Sequence, residues 1–211
     1  MKPIRVVIAD DHTLVLEAFR QLLSPDVDVV GTAENGRELI KTVKQLEPDV
    51  VVSDISMPML NGLDACIKLL KLYPDLKFIA LTVRDEPDLV AEVMRAGAKG
   101  YLLKSSAVTE LLQAIQSVAR GATYVTPLVT GAMIGTLMKG TKKELAKKLT
   151  VRQREILQLL AEGKSMKDVA GILCITPRTV AFHKYRIMDS LDIDNNADLV
   201  KYAIKTGLLE T

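Results

Sequence analysis

Two different rhythms of apolar and polar positions divide the chain. In the first part, short apolar runs at Ile4–Ala9, Val27–Thr32, Val50–Ser53, Phe78–Thr82 and Gly100–Leu103 alternate with longer stretches at Leu14–Leu23, Arg37–Leu46, Leu63–Leu72, Leu89–Ala96 and Val108–Ala119. The short runs are near-continuously apolar and several are rich in valine or isoleucine, as strands covered on both faces require. The longer stretches place apolar residues at helical spacing. Strand and helix repeated five times predict an α/β domain: a doubly wound, five-stranded parallel sheet with helices on both faces. Functional groups in such sheets gather at the carboxyl ends of the strands.

The second rhythm begins after a break. Residues 126–148 hold three glycines (Gly131, Gly135, Gly140) and a lysine-rich run, Lys142–Lys148, and are expected to be a linker that is helical in part. From Thr150 the pattern is helical in short pieces with clear starts. Thr150 with Gln153, and Ser165 with Asp168, fit capping boxes. Thr176 before Pro177 fits an N-cap followed by proline at the first helical position. Helices are expected near 151–162, 166–173, 177–191 and 196–206, a small all-α domain of four helices. The predicted organisation is thus 1–125, a linker at 126–148, and 149–211.

Charge strengthens this division. Residues 1–125 carry 14 Lys/Arg against 17 Asp/Glu, whereas residues 126–211 carry 14 against 9. An acidic first part and a basic second part suit different partners. No apolar run approaches the roughly 20 residues of a membrane span. The N-terminus enters a strand-like run without the basic, apolar, small-residue order of a signal peptide, so a cytoplasmic protein with no membrane partner is expected. Cys66 and Cys174 form no CxxC pair and have no histidine cluster, and both are expected to be reduced, buried thiols.

The chemistry lies at the predicted strand ends. Asp10 and Asp11 close the first strand, Asp54 the third and Thr82 the fourth, and Lys104 follows the fifth. A parallel sheet brings all five to one edge. Three adjacent carboxylates repel one another unless a hard cation sits among them, and Mg²⁺ with oxygen ligands fits best. A cation there would offset charge in phosphoryl transfer. Asp54 is the expected nucleophile, forming an acyl phosphate. Lys104 would pair with that phosphate and the Thr82 hydroxyl would hydrogen-bond to it.

Asp10-Asp11, Asp54 in SDISMPMLNG, Thr82 in IALT and Lys104 in KGYLLK resemble the receiver domain of two-component response regulators, a flavodoxin-like fold, over roughly residues 1–125. The resemblance implies that Asp54 is the phosphoacceptor. It implies Asp11, Asp54 and the backbone carbonyl of Ser56 as Mg²⁺ ligands, with Asp10 helping through water. It implies Thr82 as a switch residue, Lys104 as the phosphate-binding residue, and Tyr101 as an aromatic that changes rotamer on activation; a half-buried strand tyrosine is the other reading of Tyr101. Pro58 and Gly62 match the loop after the phosphoacceptor. Ser105 departs from the proline that many receivers carry after the lysine.

In the basic part, Val180, Ile187 and Leu191 share one helix face and should be core. The opposite face carries Arg178, Ala181, Phe182 and Tyr185 and is the one to enter a DNA major groove. Lys164, Lys167, Lys184 and Arg186 are the candidate phosphate contacts; inward rotation of Phe182 and Tyr185 into the core is the alternative. Residues 149–206 resemble the LuxR-type (NarL/FixJ) helix-turn-helix domain, with Glu155, Gly163, Ala170, Thr179, Val180, His183, Ile187 and Leu191 on its pattern. Ala181, Ser190 and Asn196 stand where the family commonly has cations.

The two resemblances together imply a transcription regulator. A sensor histidine kinase would phosphorylate Asp54, and the protein would bind double-stranded DNA as a homodimer when phosphorylated. The receiver surface from Asp88 to Ala119 is the implied dimer contact, and RNA polymerase a further partner. An aspartyl phosphatase is the enzyme alternative. Such enzymes place two aspartates two residues apart after the first strand, and the adjacent pair here argues against one, so no enzyme is expected. A regulator acting through protein contacts alone is the third reading, since three family cations are missing; salt-dependent DNA binding separates it from the first.

Overall fold

The alternating runs of the first part build one parallel sheet. The computed structural model describes residues 2–130 and 149–209, and the chain divides into two units, each with its own core. In the first unit β1 (Arg5–Ala9), β2 (Asp28–Ala33), β3 (Val50–Asp54), β4 (Lys77–Thr82), β5 (Gly100–Leu103) and β6 (Tyr124–Val125) lie in the order β2-β1-β3-β4-β5-β6. All neighbours are parallel. Helices α1 (Thr13–Leu23), α2 (Gly36–Leu46), α3 (Gly62–Leu72), α4 (Pro87–Arg95) and α5 (Lys104–Ala119) make the crossovers.

The strand residues explain this layering. Val6, Ile8, Val50, Val52, Ile79, Leu81 and Leu102 pack with Leu16, Phe19 and Leu23 of α1 and Leu111, Ile115 and Val118 of α5. The alternate residues Val7, Val51, Phe78 and Ala80 are equally buried and point to the opposite face. The chain leaves β1 for β2 on one side and returns to β3 on the other. Strand order therefore reverses between β1 and β3, and the carboxyl ends of these two strands border a crevice.

The sheet has one strand more than the expected five. Tyr124 and Val125 pair with Gly100 and Tyr101 along the outer edge of β5. Tyr124 N donates to Lys99 O at 2.9 Å and Thr126 N to Tyr101 O at 3.0 Å. Thr126 is fully buried, and its hydroxyl accepts from Leu103 N at 3.2 Å, beyond the last backbone pair. Thr126→Val, nearly isosteric, would leave that amide without an acceptor. It is expected to cost about 1–3 kcal/mol, read as a lower urea midpoint at unchanged slope; an unchanged midpoint would mean the hydroxyl is dispensable.

The other helix and strand boundaries agree with the sequence pattern to within a residue or two, with one exception. Helix α5 begins at Lys104, not near Val108, because its first turn is the polar Lys104-Ser105-Ser106.

The second unit contains α6 (Val151–Ala161), α7 (Met166–Leu173), α8 (Pro177–Leu191) and α9 (Asn196–Lys205). Both capping boxes form: Gln153 N donates to Thr150 Oγ1 and Asp168 N to Ser165 Oγ, each at 3.2 Å, with the reciprocal bonds present. Thr176 Oγ1 accepts from Thr179 N at 3.1 Å, so proline at the first helical position costs no bond. Ile156, Leu157, Leu159, Val169, Val180, Ile187, Leu199 and Ala203 form the core. Leu191 packs against it, only partly buried.

Cys174 is exposed, contrary to the expected buried thiol. It caps the C-terminus of α7 with a left-handed backbone (φ 52°), which turns its side chain outward. Cys66 is buried as expected, and burial pushes its thiol up to about 12, far from the reactive thiolate. Most of the expected linker, from residue 131 to 148 with its lysine run Lys142–Lys148, lies outside the described residues.

Candidate functional site

The sheet gathers the five strand-end residues at one edge. Asp10 follows β1, Asp54 ends β3 and Thr82 ends β4; their exposures are 0%, 3% and 1%. Lys104, at the start of α5, reaches over them. Its Nζ lies 2.7 Å from Asp10 Oδ2 and donates to Asp54 Oδ2 at 2.6 Å. Ser56 N donates to Asp54 Oδ1 at 3.1 Å, so both carboxylate oxygens of Asp54 are held. Asp10 Oδ2 is buried and pairs with the ammonium, yet accepts no well-aligned hydrogen bond.

Burial dominates the electrostatics. Desolvation raises the Asp54 carboxyl to about 6 against the opposing hydrogen bond and charge of Lys104, with Asp10 adding to the rise. For Lys104, burial pulls the ammonium down, but the close carboxylates of Asp10 and Asp54 outweigh it and leave it raised. A single cation thus stands between two buried carboxylates and is under-matched to them. That imbalance is what a divalent cation would correct.

His12 belongs to the same edge, a placement unforeseen although it directly follows the aspartate pair. One atom each of Asp10, Asp11 and His12 lie within 4.8 Å of one another. His12 Nδ1 is 2.8 Å from Asp11 Oδ1 and 3.3 Å from Asp10 Oδ1. The charge of Asp11, chiefly, raises the imidazole, although the side chain is largely exposed. The donor set for a metal is therefore oxygen-rich: a buried Asp10, a partly exposed Asp11, and Asp54 behind Lys104.

Thr82 links this edge to Tyr101. Thr82 Oγ1 accepts from Arg84 N at 3.0 Å, and the Tyr101 hydroxyl meets the carbonyl of the same residue. Tyr101 is fully buried, more than the half-buried strand tyrosine expected as one reading, and its hydroxyl donates to Arg84 O at 2.7 Å. Arg84 Nε pairs with Glu86 at 2.7 Å. Beneath Asp54, α3 starts at Gly62, whose N donates to Ile55 O at 2.8 Å. A Cβ on Gly62 would stand 1.9 Å from Asp54 O, so only glycine lets the helix start this close to the nucleophile candidate.

The second unit carries the basic candidates. Phe182 and Tyr185 are 56% and 63% exposed, so they project from α8 and do not join the core. Arg178 and Arg186 are exposed beside them, and Ala181 is half-buried. Thr179 is tied to the helix start, its hydroxyl 2.9 Å from that of Thr176. Lys164 and Lys184 line a cavity of about 330 Å³ with Ser165, Met166 and Asn196, at the first turns of α7 and α9. Lys167 is exposed one turn away on α7. Cations next to helix N-termini favour an anionic backbone there.

Comparison with known proteins gives two family matches. Residues 6–116 match the response regulator receiver domain, and residues 147–203 match the LuxR family of bacterial regulatory proteins. The chain is 37% identical to the oxygen regulatory protein NreC of Staphylococcus carnosus (strain TM300), across 98% of this chain and 99% of that one. It resembles RcsB from Salmonella enterica serovar Typhimurium, bound to promoter rprA in the presence of the phosphomimetic BeF3−, with 28% identity, a TM-score of 0.62 and coverage of 94% and 98%. A structure of two RcsB dimers on two parallel DNAs is similar at 28% identity and a TM-score of 0.60, covering 95% of this chain and 98% of that one.

Proposed function

Since the chain belongs to the response regulators that join a receiver domain to a LuxR-type DNA-binding domain, we propose that it is a transcription regulator whose DNA binding is set by phosphorylation of Asp54. The carrying observation is the buried pair Asp10 and Asp54 bridged by one lysine at the carboxyl edge of the sheet. An Asp54 oxygen attacks the phosphorus of a phosphohistidine on a sensor kinase. The P–N bond breaks, an acyl phosphate forms, and the imidazole leaves with its electron pair. The reading places the protein in the cytoplasm; among the described residues no helix is long and apolar enough to cross a membrane.

Asp10, Asp11, Asp54 and the Ser56 carbonyl would hold Mg²⁺. When bound, the ion offsets the charge of the incoming phosphoryl oxygens. The remaining work falls to the chain. Lys104 already donates to the nucleophile and needs only to follow the new phosphate oxygens. Thr82 turns its hydroxyl from Arg84 N to donate to the phosphate, and because Tyr101 bonds the Arg84 carbonyl, the reaction is coupled to the buried tyrosine. That coupling biases a two-state receiver. Homodimerisation through the Asp88–Ala119 surface then presents two copies of α8 to paired half-sites, as the dimers on DNA seen for RcsB suggest, and places the bound regulator where RNA polymerase can meet it.

Magnesium at 100 times its dissociation constant should stabilise the metal-free protein by about 2.7 kcal/mol. The melting temperature should rise with added Mg²⁺ in the wild type and stay level in Asp11→Asn; an equal rise in both would remove Asp11 from the ligand set. The function itself is tested by titrating duplex DNA with and without a beryllofluoride phosphate mimic at several salt concentrations. Affinity should increase with the mimic and fall steeply with salt. DNA binding indifferent to the mimic, or no DNA binding at all, would overturn the reading.

A further inference from the structure

We propose that Phe182 and Tyr185 make α8 a reader of thymine methyl groups, so that sequence is chosen mainly by apolar contact and not by cations on guanine. The inference rests on the proposed DNA binding through α8 and adds what it recognises there. Val180 and Ile187 are fully buried, which fixes the rotation of the helix. Arg178, Phe182 and Tyr185, at spacings of four and three, then form one outward stripe. Phe182 and Tyr185 are the two aromatics of this line, which runs from Arg178 at its N-terminal end to the exposed Asp189 at its C-terminal end.

The phenyl ring is held in place. Arg186 Cζ lies 5.4 Å from the Phe182 centroid, and the His183 ring meets it edge-on at 5.6 Å. A ring fixed before binding loses little side-chain entropy on docking. The occupant is a polyanion and not a second copy of the chain, on grounds of charge. Arg178 shares the stripe, Arg186 lies against the Phe182 ring and Lys184 against the Tyr185 ring, and two such surfaces would repel each other.

The positions of the cations decide what the stripe reads. Lys164 and Lys184 line the cavity at the starts of α7 and α9, and the Lys184 ammonium also lies 5.9 Å from the Tyr185 ring centroid, beside the stripe and not on it. Arg186 is spent on the Phe182 ring. Only Arg178 is left on the stripe for a bidentate contact to guanine. In the major groove the thymine C5-methyl is the largest apolar feature, whereas a G·C pair shows polar groups and only the small C5–H of cytosine. A phenyl ring over G·C would strip water from donors and acceptors and return no hydrogen bond. Half-sites should therefore be rich in A·T pairs, with at most one required G·C pair, near Arg178.

The test uses the full chain. Half-sites are selected from random duplexes, and each thymine of the winning site is then replaced by deoxyuridine, which removes the methyl and keeps every hydrogen-bonding group. Wild-type affinity should fall about fourfold at a contacted thymine, the worth of one buried methyl-sized group. In Phe182→Ala the same replacement should have no effect, with the salt slope unchanged, while Phe182→Leu should restore sensitivity in part. Melting curves verify that both variants are folded. Selection of G·C-rich sites, or wild-type indifference to deoxyuridine, would overturn the inference and leave phosphorylation-dependent DNA binding intact. A Phe182→Ala defect in self-association without DNA, with no deoxyuridine effect, would likewise overturn it in favour of a protein contact. Failure of the wild type to bind any duplex would sink this inference together with the function it rests on.

Discussion

Asp54→Asn is expected to abolish phosphorylation. Incubated with acetyl phosphate and Mg²⁺, the wild type should gain one phosphoryl group in intact mass and the variant none. The amide is not a nucleophile, and the neighbouring carboxylates are poor substitutes. Asp10 is fully buried between Lys104 and His12, and Asp11 faces the imidazole. An undiminished mass gain in Asp54→Asn would refute the assignment. The same variant should change the pH dependence of stability in chelator. The folded Asp54 carboxyl is raised to about 6 from an ordinary value near 4. A raised carboxyl binds protons more tightly folded than unfolded, so its contribution to stability is present at low pH and is lost as pH rises through about 6. The wild type should therefore lose stability between about pH 4 and 6 on this account, and Asp54→Asn should flatten that slope.

Gly62→Ala should have the other large effect. The added Cβ would lie 1.9 Å from Asp54 O and 3.0 Å from Ile55 Cα. Both are backbone atoms, so no side chain can swing aside. Either the end of β3 or the start of α3 must move, and the Gly62 N to Ile55 O bond strains with it. Overpacking of this kind costs about 3 kcal/mol or more when the obstacle is backbone. Urea unfolding should show the loss, and phosphorylation by acetyl phosphate should slow because the nucleophile is displaced. A variant within about 0.5 kcal/mol of wild type, as for an ordinary surface change, would mean that the loop adapts freely.

How legible each feature is in the sequence follows the range of the interaction behind it. Helix starts depend on bonds spanning three residues, so Thr150, Ser165 and Thr176 declare α6, α7 and α8. The central strands are legible because Val6–Ala9 and Val50–Val52 are buried on both faces and cannot be anything but apolar. Strand β6 is not, since a two-residue strand has no period and its partner lies 24 residues away. The first turn of α5 is hidden because its residues serve the acidic edge and not the core. The five strand-end residues are readable as a set, as each closes or follows a recognisable strand. The His12 contact is local and open to reading from the sequence, whereas the approach of Lys104 to both Asp10 and Asp54 and the clearance under Gly62 depend on how separate elements meet, which no local pattern carries.

Strand β6 has a further consequence for self-association. An uncovered edge strand offers a row of amides and carbonyls to any other chain, and is a common route to unintended strand addition. Here Lys99 O and Tyr101 O, on the outer side of β5, are already taken by Tyr124 N and Thr126 N. A second receiver therefore cannot extend the sheet across β5 without first peeling away this segment. What remains for strand addition on that side is the outer edge of β6, only two residues long and too short to seed a stable backbone ladder. The segment thus protects the β5 edge from unintended strand addition.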